Sequence, residues 1–344
     1  MRVALIAGPW VAVPPLAYGG IETVLDHLAR GLDAAGHEVL LVTTGDATCP
    51  VERTWLFPEA LGVQEGGSLA ELRHVLHAYE WLEGQGCDIV HDHTLAGPAY
   101  AARAGIPVVT TNHGPFDDVL APYYAAIAHH VPIIAISESQ AGSAGSIPIA
   151  GVIHHGIDVE SVPAGDGTGG YAAFVGRMCP EKGIPAAIRV ARAAGVPLRI
   201  AAKMSEPREQ AYFEREVESM LGGDVEYVGE LGRDESAAFV GAACCLLNPI
   251  QWPEPFGMVM VEALATGTPV VATPCGAAPE IVADGRTGFV RGTEEELAAC
   301  VRSVADIDRA ECRDDVAARF TTERMVAGHL EVYAQVAGRG ALVA

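Results

Sequence analysis

The sequence predicts an α/β protein with two domains, each built on a doubly wound parallel β-sheet. Three observations support this fold class. The 344 residues exceed the usual size of one compact core, and half of them are hydrophobic. Apolar, strand-like runs alternate with helical stretches along almost the whole chain, as in parallel sheets covered by helices. A stretch rich in Gly and Pro, residues 163–170, interrupts this alternation.

The predicted N-terminal domain covers residues 1–162. Helical segments separate most of its expected strands, which are the apolar runs Val3–Ala7, Val39–Thr43, Ile89–Val90, Val108–Thr111, Ile133–Ile136 and Val152–Ile153. We expect residues 163–170 to form a linker, because Gly and Pro disfavour the interior of helices and strands.

The predicted C-terminal domain covers residues 171–321. Its expected strands are Ala172–Val175, Leu198–Ala201, Val225–Val228, Cys244–Leu247, Val270–Ala272 and Phe289–Val290. Residues 322–344 are expected to form a last helix that packs back toward the N-terminal domain, since apolar residues recur on one helical face. Open parallel sheets bind ligands at the carboxyl ends of their strands, so a deep cleft between two facing domains is the predicted site.

Charge and cysteine content exclude several classes of function. The chain carries 22 basic and 44 acidic residues, a net charge of −22, and its first 165 residues contain five arginines and no lysine. This balance opposes binding to nucleic acid and stable association with an anionic membrane. Eight scattered cysteines without a CxxC pair, in a chain with no recognisable secretion signal, predict reduced thiols and a cytoplasmic location.

The strongest chemical signal runs from Glu254 to Glu262, two carboxylates separated by seven residues. We expect Pro255 to lie in the first turn of a helix, where its missing N–H costs little. The free N–H groups of that turn would then face a diphosphate. If the segment were helical throughout, the carboxylates would lie about 12 Å apart, far enough to hold hydroxyls on opposite sides of a pyrophosphate. The alternative is that Glu254 caps the helix and Glu262 is a solvated charge.

A second signal places Arg177 at the end of a predicted strand and Lys182 at the start of the next helix. Two fixed cations at such a turn suit a pyrophosphate, for which Arg offers a planar fork and Lys a compact charge. The alternative is a surface salt bridge of Lys182 with Glu181 or Glu206.

These motifs together resemble the donor site of glycosyltransferase family 4, retaining enzymes of the GT-B type with two facing Rossmann-like domains. The resemblance covers nearly the whole chain. Among family members, the chain is most similar to short enzymes that act in oligosaccharide-antibiotic assembly. The resemblance includes the segments Tyr18–Glu22, Thr111–Gly114, Ile153–Asp158, Thr266–Val271 and Gly276–Glu280.

The resemblance implies roles for individual residues. The residues expected to act in catalysis are His113, Arg177, Lys182 and Glu254. The residues expected to bind the nucleotide and donor are Gly19, Gly20, Val228, Glu230, Phe256, Gly257, Met258, Val259 and Glu262. Within these sets, Glu254 is expected to contact the transferred sugar and Glu262 the ribose, while Arg177 and Lys182 neutralise the leaving diphosphate.

Histidines are concentrated in the N-terminal half. The resemblance places His113 against the donor sugar, where its imidazole could hydrogen-bond a hydroxyl or stabilise developing charge; the alternative is a structural histidine in a turn. We expect structural or acceptor-lining roles for His91, His93, His154 and His155, because no third metal ligand is evident. No metal site is predicted, and the Asp306-Ile307-Asp308 segment is interpreted as a helix cap.

The sequence therefore predicts a retaining, metal-independent transfer of sugar from a UDP- or GDP-type donor to a soluble glycoside or small metabolite, without a cofactor. The alternatives are a nucleotide-sugar epimerase or phosphorylase on a similar scaffold, and a non-catalytic nucleotide-binding subunit. A dinucleotide-dependent oxidoreductase is disfavoured, because the first strand is not followed by GxGxxG. The sequence makes no prediction of oligomeric state.

Overall fold

The computed structural model describes residues 1–62 and 67–340 and divides the chain into two compact units. The N-terminal unit comprises residues 1–156 and the segment from residue 322 onward, and the C-terminal unit comprises residues 157–321. Each unit contains a parallel sheet with helices packed on it. The predicted fold class of two doubly wound parallel-sheet domains is confirmed.

The described part of the N-terminal unit holds a seven-stranded sheet of order β3-β2-β1-β4-β5-β6-β7. Its strands are β1 (Arg2–Ile6), β2 (Glu38–Thr43), β3 (Glu52–Trp55), β4 (Ile89–Asp92), β5 (Val108–Thr111), β6 (Ile133–Ala135) and β7 (Ile149–Val152). Every neighbouring pair is parallel. The carboxyl ends of the strands therefore share one edge of the sheet.

Helices follow most of these strands: α1 (Gly20–Ala34), α2 (Ser68–Leu82), α3 (Ala96–Tyr100), α4 (Leu120–Ile127) and α5 (Glu138–Ser143). Helix α2 buries Val75, Tyr79 and Leu82 against a core that includes Ile6 and Val90. Burying such apolar side chains stabilises the unit by roughly 1.5–3 kcal/mol for each large residue.

The described part of the C-terminal unit holds a six-stranded parallel sheet of order β10-β9-β8-β11-β12-β13. Its strands are β8 (Ala172–Arg177), β9 (Leu198–Lys203), β10 (Val225–Gly229), β11 (Cys245–Asn248), β12 (Val270–Ala272) and β13 (Gly288–Val290). Its helices are α6 (Ile184–Ala194), α7 (Pro207–Tyr212), α8 (Arg233–Ala242), α9 (Met258–Ala265), α10 (Ala278–Ile281), α11 (Glu294–Ser303) and α12 (Arg309–Arg319). Ile184 and Ile188 of α6 pack in a core with Phe174, Leu247 and Val271.

The last helix, α13 (Thr322–Gly340), packs in the N-terminal unit, against α1 and strands β4, β5 and β7. Tyr333 is fully buried, and its hydroxyl lies 2.7 Å from Nδ1 of His91. The N–H of Gly156 donates to the sulfur of Met325 at 3.2 Å.

The boundary between the units lies at Gly156, earlier than the predicted residue 162. The N–H of Ile157 donates to the carbonyl of Phe320 at 3.0 Å, and Arg313 donates to the carbonyl of Val162 at 3.0 Å. The predicted linker 163–170 is also packed, since the N–H of Gly165 donates to the carbonyl of Thr266 at 2.8 Å. These hydrogen bonds attach both segments to the C-terminal unit.

Strand β3 was not predicted. It contains Glu52, Arg53, Thr54 and Trp55 and pairs in parallel with β2 at the edge of the sheet. An edge strand exposes its side chains, so it lacks the apolar run by which buried strands are found.

Among the described residues, no helix has both the length and the apolar composition needed to cross a bilayer.

Candidate functional site

Most predicted donor-site residues lie at the carboxyl edge of the C-terminal sheet. Arg177 ends β8, and the loop from Pro249 to Gly257 follows the neighbouring strand β11. Because parallel strands end at the same edge, the fold brings Arg177, Lys182 and this loop into one region. Arg177 is half-buried and lies in register with Lys203 of β9.

Lys182 and Glu254 form an ion pair. The ammonium Nζ of Lys182 lies 2.5 Å from Oε2 of Glu254, and their side chains are only 11% and 12% exposed. The indole N–H of Trp252 donates to the same oxygen at 3.0 Å. The ammonium also lies 5.9 Å from the centre of the Trp252 ring. Two donors on Oε2 fix the carboxylate and leave Oε1 as its second accepting oxygen.

The alternative of a surface salt bridge between Lys182 and Glu206 is wrong. Glu206 pairs with Lys203 instead, at 3.0 Å. Lys182 reaches Glu254 because it ends the short 3₁₀ turn Pro180–Lys182 and is followed by Gly183 in the left-handed region, at φ 72°. The sequence motifs include both members of the pair but give no sign that the two side chains touch.

The expected helix from Glu254 onward is wrong at its start. Helix α9 begins at Met258, after Gly257 in the left-handed region at φ 93°, so Pro255 precedes the helix. A left-handed residue ends the helical ladder, which is why α9 cannot extend back to Glu254. The first-turn N–H groups of Met258 and Val259 still lie at a helix N-terminus, which favours anions.

The backbone of Gly276 holds Glu254 in place. A Cβ on Gly276 would lie 2.1 Å from the carbonyl oxygen of Glu254, a distance that no side chain tolerates. The N–H of the next residue, Ala277, donates to that carbonyl at 3.0 Å. The segment Gly276–Glu280, singled out in the sequence, thus supports the loop that carries Glu254.

Glu262 lies on the exposed side of α9, and Phe256 is buried before the helix. Partial desolvation by the surrounding protein raises the pKa of the Glu262 carboxyl, and the cation Arg233, the first residue of α8, opposes this rise. An exposed carboxylate is available to accept hydrogen bonds from a ligand.

Val228 and Glu230 lie at the end of β10, the edge strand of the sheet. Val228 is half-buried and Glu230 is exposed. The register of β10 on β9 shifts between Tyr227 and Gly229, which is an irregularity in the ladder at this position. Such irregularities leave backbone groups outside the regular ladder.

In the N-terminal unit, Gly19 and Gly20 open α1 as its N-cap and first residue. A Cβ on Gly19 would lie 2.6 Å from Cβ of Pro15, whereas one on Gly20 would meet nothing within 4 Å. Glu22 in the first turn is 9% exposed, and burial raises its pKa to about 7. Glu22 belongs to the segment Tyr18–Glu22 named above, but its burial was not predicted.

His113 follows β5 and belongs to a histidine cluster formed by His91, His93, His113, His155 and His329. The rings of His91 and His93 have centroids 3.9 Å apart, and Nδ1 of His93 lies 2.8 Å from Nε2 of His113. Burial, with a contribution from nearby His329, lowers the pKa of His113 to about 3. The imidazole of His113 is therefore neutral near pH 7.

The described residues contain no group of three or more His, Cys, Asp or Glu arranged to hold a metal ion. Asp308 caps α12 by accepting from the N–H of Ala310 at 2.9 Å, as its sequence position indicated. All eight cysteines lie in the described ranges and are free thiols.

Comparison with known proteins covers both units. Residues 18–161 match the family model of Glycosyltransferase Family 4, and residues 170–306 match that of Glycosyl transferases group 1. The chain is 26% identical to a phosphatidyl-myo-inositol mannosyltransferase of Mycolicibacterium smegmatis over 381 residues, covering 99% of this chain and 95% of that protein.

Two solved structures share the architecture. AviGT4, a glycosyltransferase involved in avilamycin A biosynthesis, superposes with a TM-score of 0.72 at 26% identity over 98% of both chains. HepE of Anabaena, in complex with UDP-glucose, has a TM-score of 0.75 at 18% identity, covering 97% of this chain and 100% of that one. The second likeness shows the fold alone.

Proposed function

Because this chain is a glycosyltransferase of family 4 with the GT-B fold, we propose that it transfers a sugar from a UDP- or GDP-type donor to a hydroxyl of a soluble acceptor. The proposed reaction retains the configuration of the sugar and uses no metal ion. The observation that carries this proposal is the Lys182–Glu254 pair beside the N-terminus of α9.

The pair supplies two different chemical functions. Trp252 and Lys182 both occupy Oε2 of Glu254, so Oε1 is the oxygen proposed to accept a hydroxyl of the transferred sugar. Lys182 and Arg177 are proposed to face the diphosphate. Negative charge grows on that leaving group as its bond to the sugar breaks, and fixed cations stabilise such charge most in the transition state.

The bond changes are those of a same-face displacement. The bond between the anomeric carbon and the diphosphate oxygen breaks, and its electron pair remains on the diphosphate. The acceptor oxygen bonds to the same face of that carbon, and its proton passes to a diphosphate oxygen. The first-turn N–H groups of Met258 and Val259 add donors for the diphosphate without a metal ion.

The remaining roles follow the family pattern. Glu262 is proposed to accept hydrogen bonds from the ribose hydroxyls, and the backbone at Val228 and Glu230 to hold the base. In the N-terminal unit, Gly20 opens α1 with open space where a Cβ would lie, which supports its proposed approach to a phosphate. His113 is proposed to hydrogen-bond a substrate hydroxyl.

The acceptor is proposed to be a soluble glycoside or small metabolite of the cytoplasm, in oligosaccharide-antibiotic or other secondary metabolism. The role of AviGT4 in avilamycin A biosynthesis supports this class. The net charge of −22 disfavours an acceptor embedded in an anionic bilayer, although the name of the mycobacterial relative indicates a lipid acceptor for that protein. Sedimentation with anionic vesicles at low ionic strength tests the point, and strong binding would favour the lipid acceptor.

Product analysis tests the proposed activity itself. Purified protein is incubated with UDP- and GDP-sugars and with a mixture of candidate acceptors. Release of a nucleoside diphosphate together with a new glycoside supports the proposal. A free epimerised donor would indicate an epimerase, and phosphate-dependent release of a sugar phosphate would indicate a phosphorylase. Binding without turnover of any donor would indicate a non-catalytic subunit.

A further inference from the structure

His93 and His113 lie at the carboxyl ends of two neighbouring strands. His93 directly follows β4, and His113 follows β5, which pairs with β4. Nδ1 of His93 lies 2.8 Å from Nε2 of His113, within hydrogen-bond distance. One of the two nitrogens must carry the proton, and the surroundings decide which.

The surroundings of Nε2, the other ring nitrogen of His93, determine where the proton lies. Nε2 of His93 is buried and has no hydrogen-bond partner among the described residues. A buried N–H without an acceptor costs more free energy than a buried lone pair without a donor, and orphaned N–H groups are rare. The proton of His93 is therefore assigned to Nδ1, which donates to Nε2 of His113.

The protonation states support this assignment. Burial and the neighbouring His91 hold the pKa of His93 well below its usual range, and His113 is neutral for the reasons given above. A neutral imidazole carries one proton. Since Nε2 of His113 accepts from His93, the single proton of His113 lies on Nδ1. Nδ1 is therefore the nitrogen from which His113 can donate.

We propose that His93 is a positioning residue, which fixes His113 as the Nδ1–H tautomer and so makes it a neutral hydrogen-bond donor to a substrate oxygen. The identity of that oxygen, on a sugar hydroxyl or at the leaving bond, rests on the proposed function. The tautomer itself does not depend on it.

The rest of the cluster holds the His93 ring in place. His91 packs against it at 3.9 Å between centroids and is itself fixed, because Nδ1 lies 2.7 Å from the Tyr333 hydroxyl and Nε2 lies 2.8 Å from Oγ1 of Thr111. On the other side, the ring of His113 stacks on that of His155 at 5.4 Å and 25°. Packing on both rings limits the rotations that would break the His93–His113 bond.

This tautomer restricts the chemistry of His113. Nδ1 already carries a proton, and the lone pair of Nε2 already accepts one hydrogen bond, so His113 cannot take the proton of an acceptor hydroxyl. It can donate to a lone pair or to growing negative charge. This role agrees with transfer of the acceptor proton to the diphosphate.

Imidazole nitrogen NMR tests the proposal without any substrate. In protein labelled with ¹⁵N-histidine, we expect the His113 signals, assigned by their loss in His113→Gln, to show a protonated Nδ1 and an unprotonated Nε2. His93→Asn keeps an N–H donor near the position of Nδ1 and should preserve this pattern. His93→Phe keeps a ring against His91 but removes the donor, and should yield a mixture of tautomers. A proton on Nε2 of His113 in the unmodified protein would overturn the proposal, whether or not transfer is observed.

Kinetics add a second readout. We expect His93→Phe to lower kcat/KM up to about tenfold, the factor that about 1.4 kcal/mol of tautomer selection represents. His93→Asn should retain most activity. His74→Gln is the matched control, because His74 is a fully buried histidine whose Nε2 bonds the carbonyl of Ala7 elsewhere in the same unit. Equal losses in His93→Asn, His93→Phe and His74→Gln would show a purely structural role for His93.

Discussion

The ammonium of Lys182 lies 2.5 Å from Oε2 of Glu254, although 72 positions separate the two residues in the chain. Both side chains are almost buried, so each charge depends on the other for compensation. Removing one partner of a buried pair leaves an unpaired buried charge, which costs far more than an exposed pair is worth. The same contact therefore governs stability and, in the proposed function, the donor chemistry.

Comparing a single replacement with a double replacement of the pair should separate its effect on stability from its effect on activity. We expect Lys182→Met to lower the free energy of unfolding of the C-terminal unit by roughly 3 kcal/mol, because it leaves the buried carboxylate of Glu254 without a cation. Lys182→Met with Glu254→Gln should recover much of that stability and none of the activity. Denaturant titration and initial rates provide the measurements. As a control, the exposed pair Arg189–Glu294 should contribute at most about 1 kcal/mol. A double variant as unstable as the single one would show that the pair itself is not the cause.

Trp252 should act through its N–H group. Trp252→Phe keeps an aromatic ring near Lys182 but removes the hydrogen bond to Glu254, which is worth roughly 1.5–3 kcal/mol when it involves a charged acceptor. We expect kcat to fall by about tenfold or more while the Kd of the nucleoside diphosphate stays unchanged. Trp55→Phe, on the exposed edge strand, is the matched control. A weaker nucleotide affinity with unchanged kcat would place Trp252 in the nucleotide site instead.

Glu262→Ala should chiefly weaken nucleotide binding. Loss of charge-assisted ribose hydrogen bonds at roughly 1.5–3 kcal/mol each corresponds to at least a tenfold higher Kd for the free nucleoside diphosphate. Titration calorimetry measures this value, and Glu295→Gln, an exposed acid on α11, serves as the control. Unchanged affinity in Glu262→Ala would remove this residue from the ribose.

The N-terminal unit should lose stability as the pH falls. Burial lowers the pKa of His74 and of His329 to about 4, below the value of about 6.5 in an unfolded chain. Between these values the unfolded chain binds more protons, so stability rises with pH through this window. Glu22 and Asp92 have the opposite effect on stability. Burial raises their pKa to about 7 and about 6, so their contribution to stability falls as the pH rises.

The effect of the histidines should exceed that of the two carboxyl groups, since burial also lowers the pKa of His91, His93 and His155. We expect a lower thermal midpoint at about pH 5 than at about pH 7.5, and a smaller difference in His74→Gln. Calorimetric scans at both pH values check this. A midpoint that rises on acidification would mean that the carboxyl groups dominate.

Much of the fold was readable from the sequence, because buried parallel strands are apolar on both faces. The start of α9 could not be predicted, since glycine adopts either sign of φ and the sequence does not show that Gly257 has a positive one. The Lys182–Glu254 contact joins distant segments and needs the strand order to be found. The His93–His113 contact could have been predicted, because each residue follows an apolar strand and the two strands are consecutive in the chain. Consecutive strands of a sheet are usually neighbours, as β4 and β5 are here.

The most direct test of the account is the fate of the donor in the presence of a strong chelator. Purified protein, a panel of UDP- and GDP-sugars and candidate acceptors are followed by ¹H NMR of the anomeric proton. We expect release of the nucleoside diphosphate from at least one donor, with a product of the same anomeric configuration, and loss of this reaction in Lys182→Met. An inverted product, or turnover that requires added divalent metal, would contradict it.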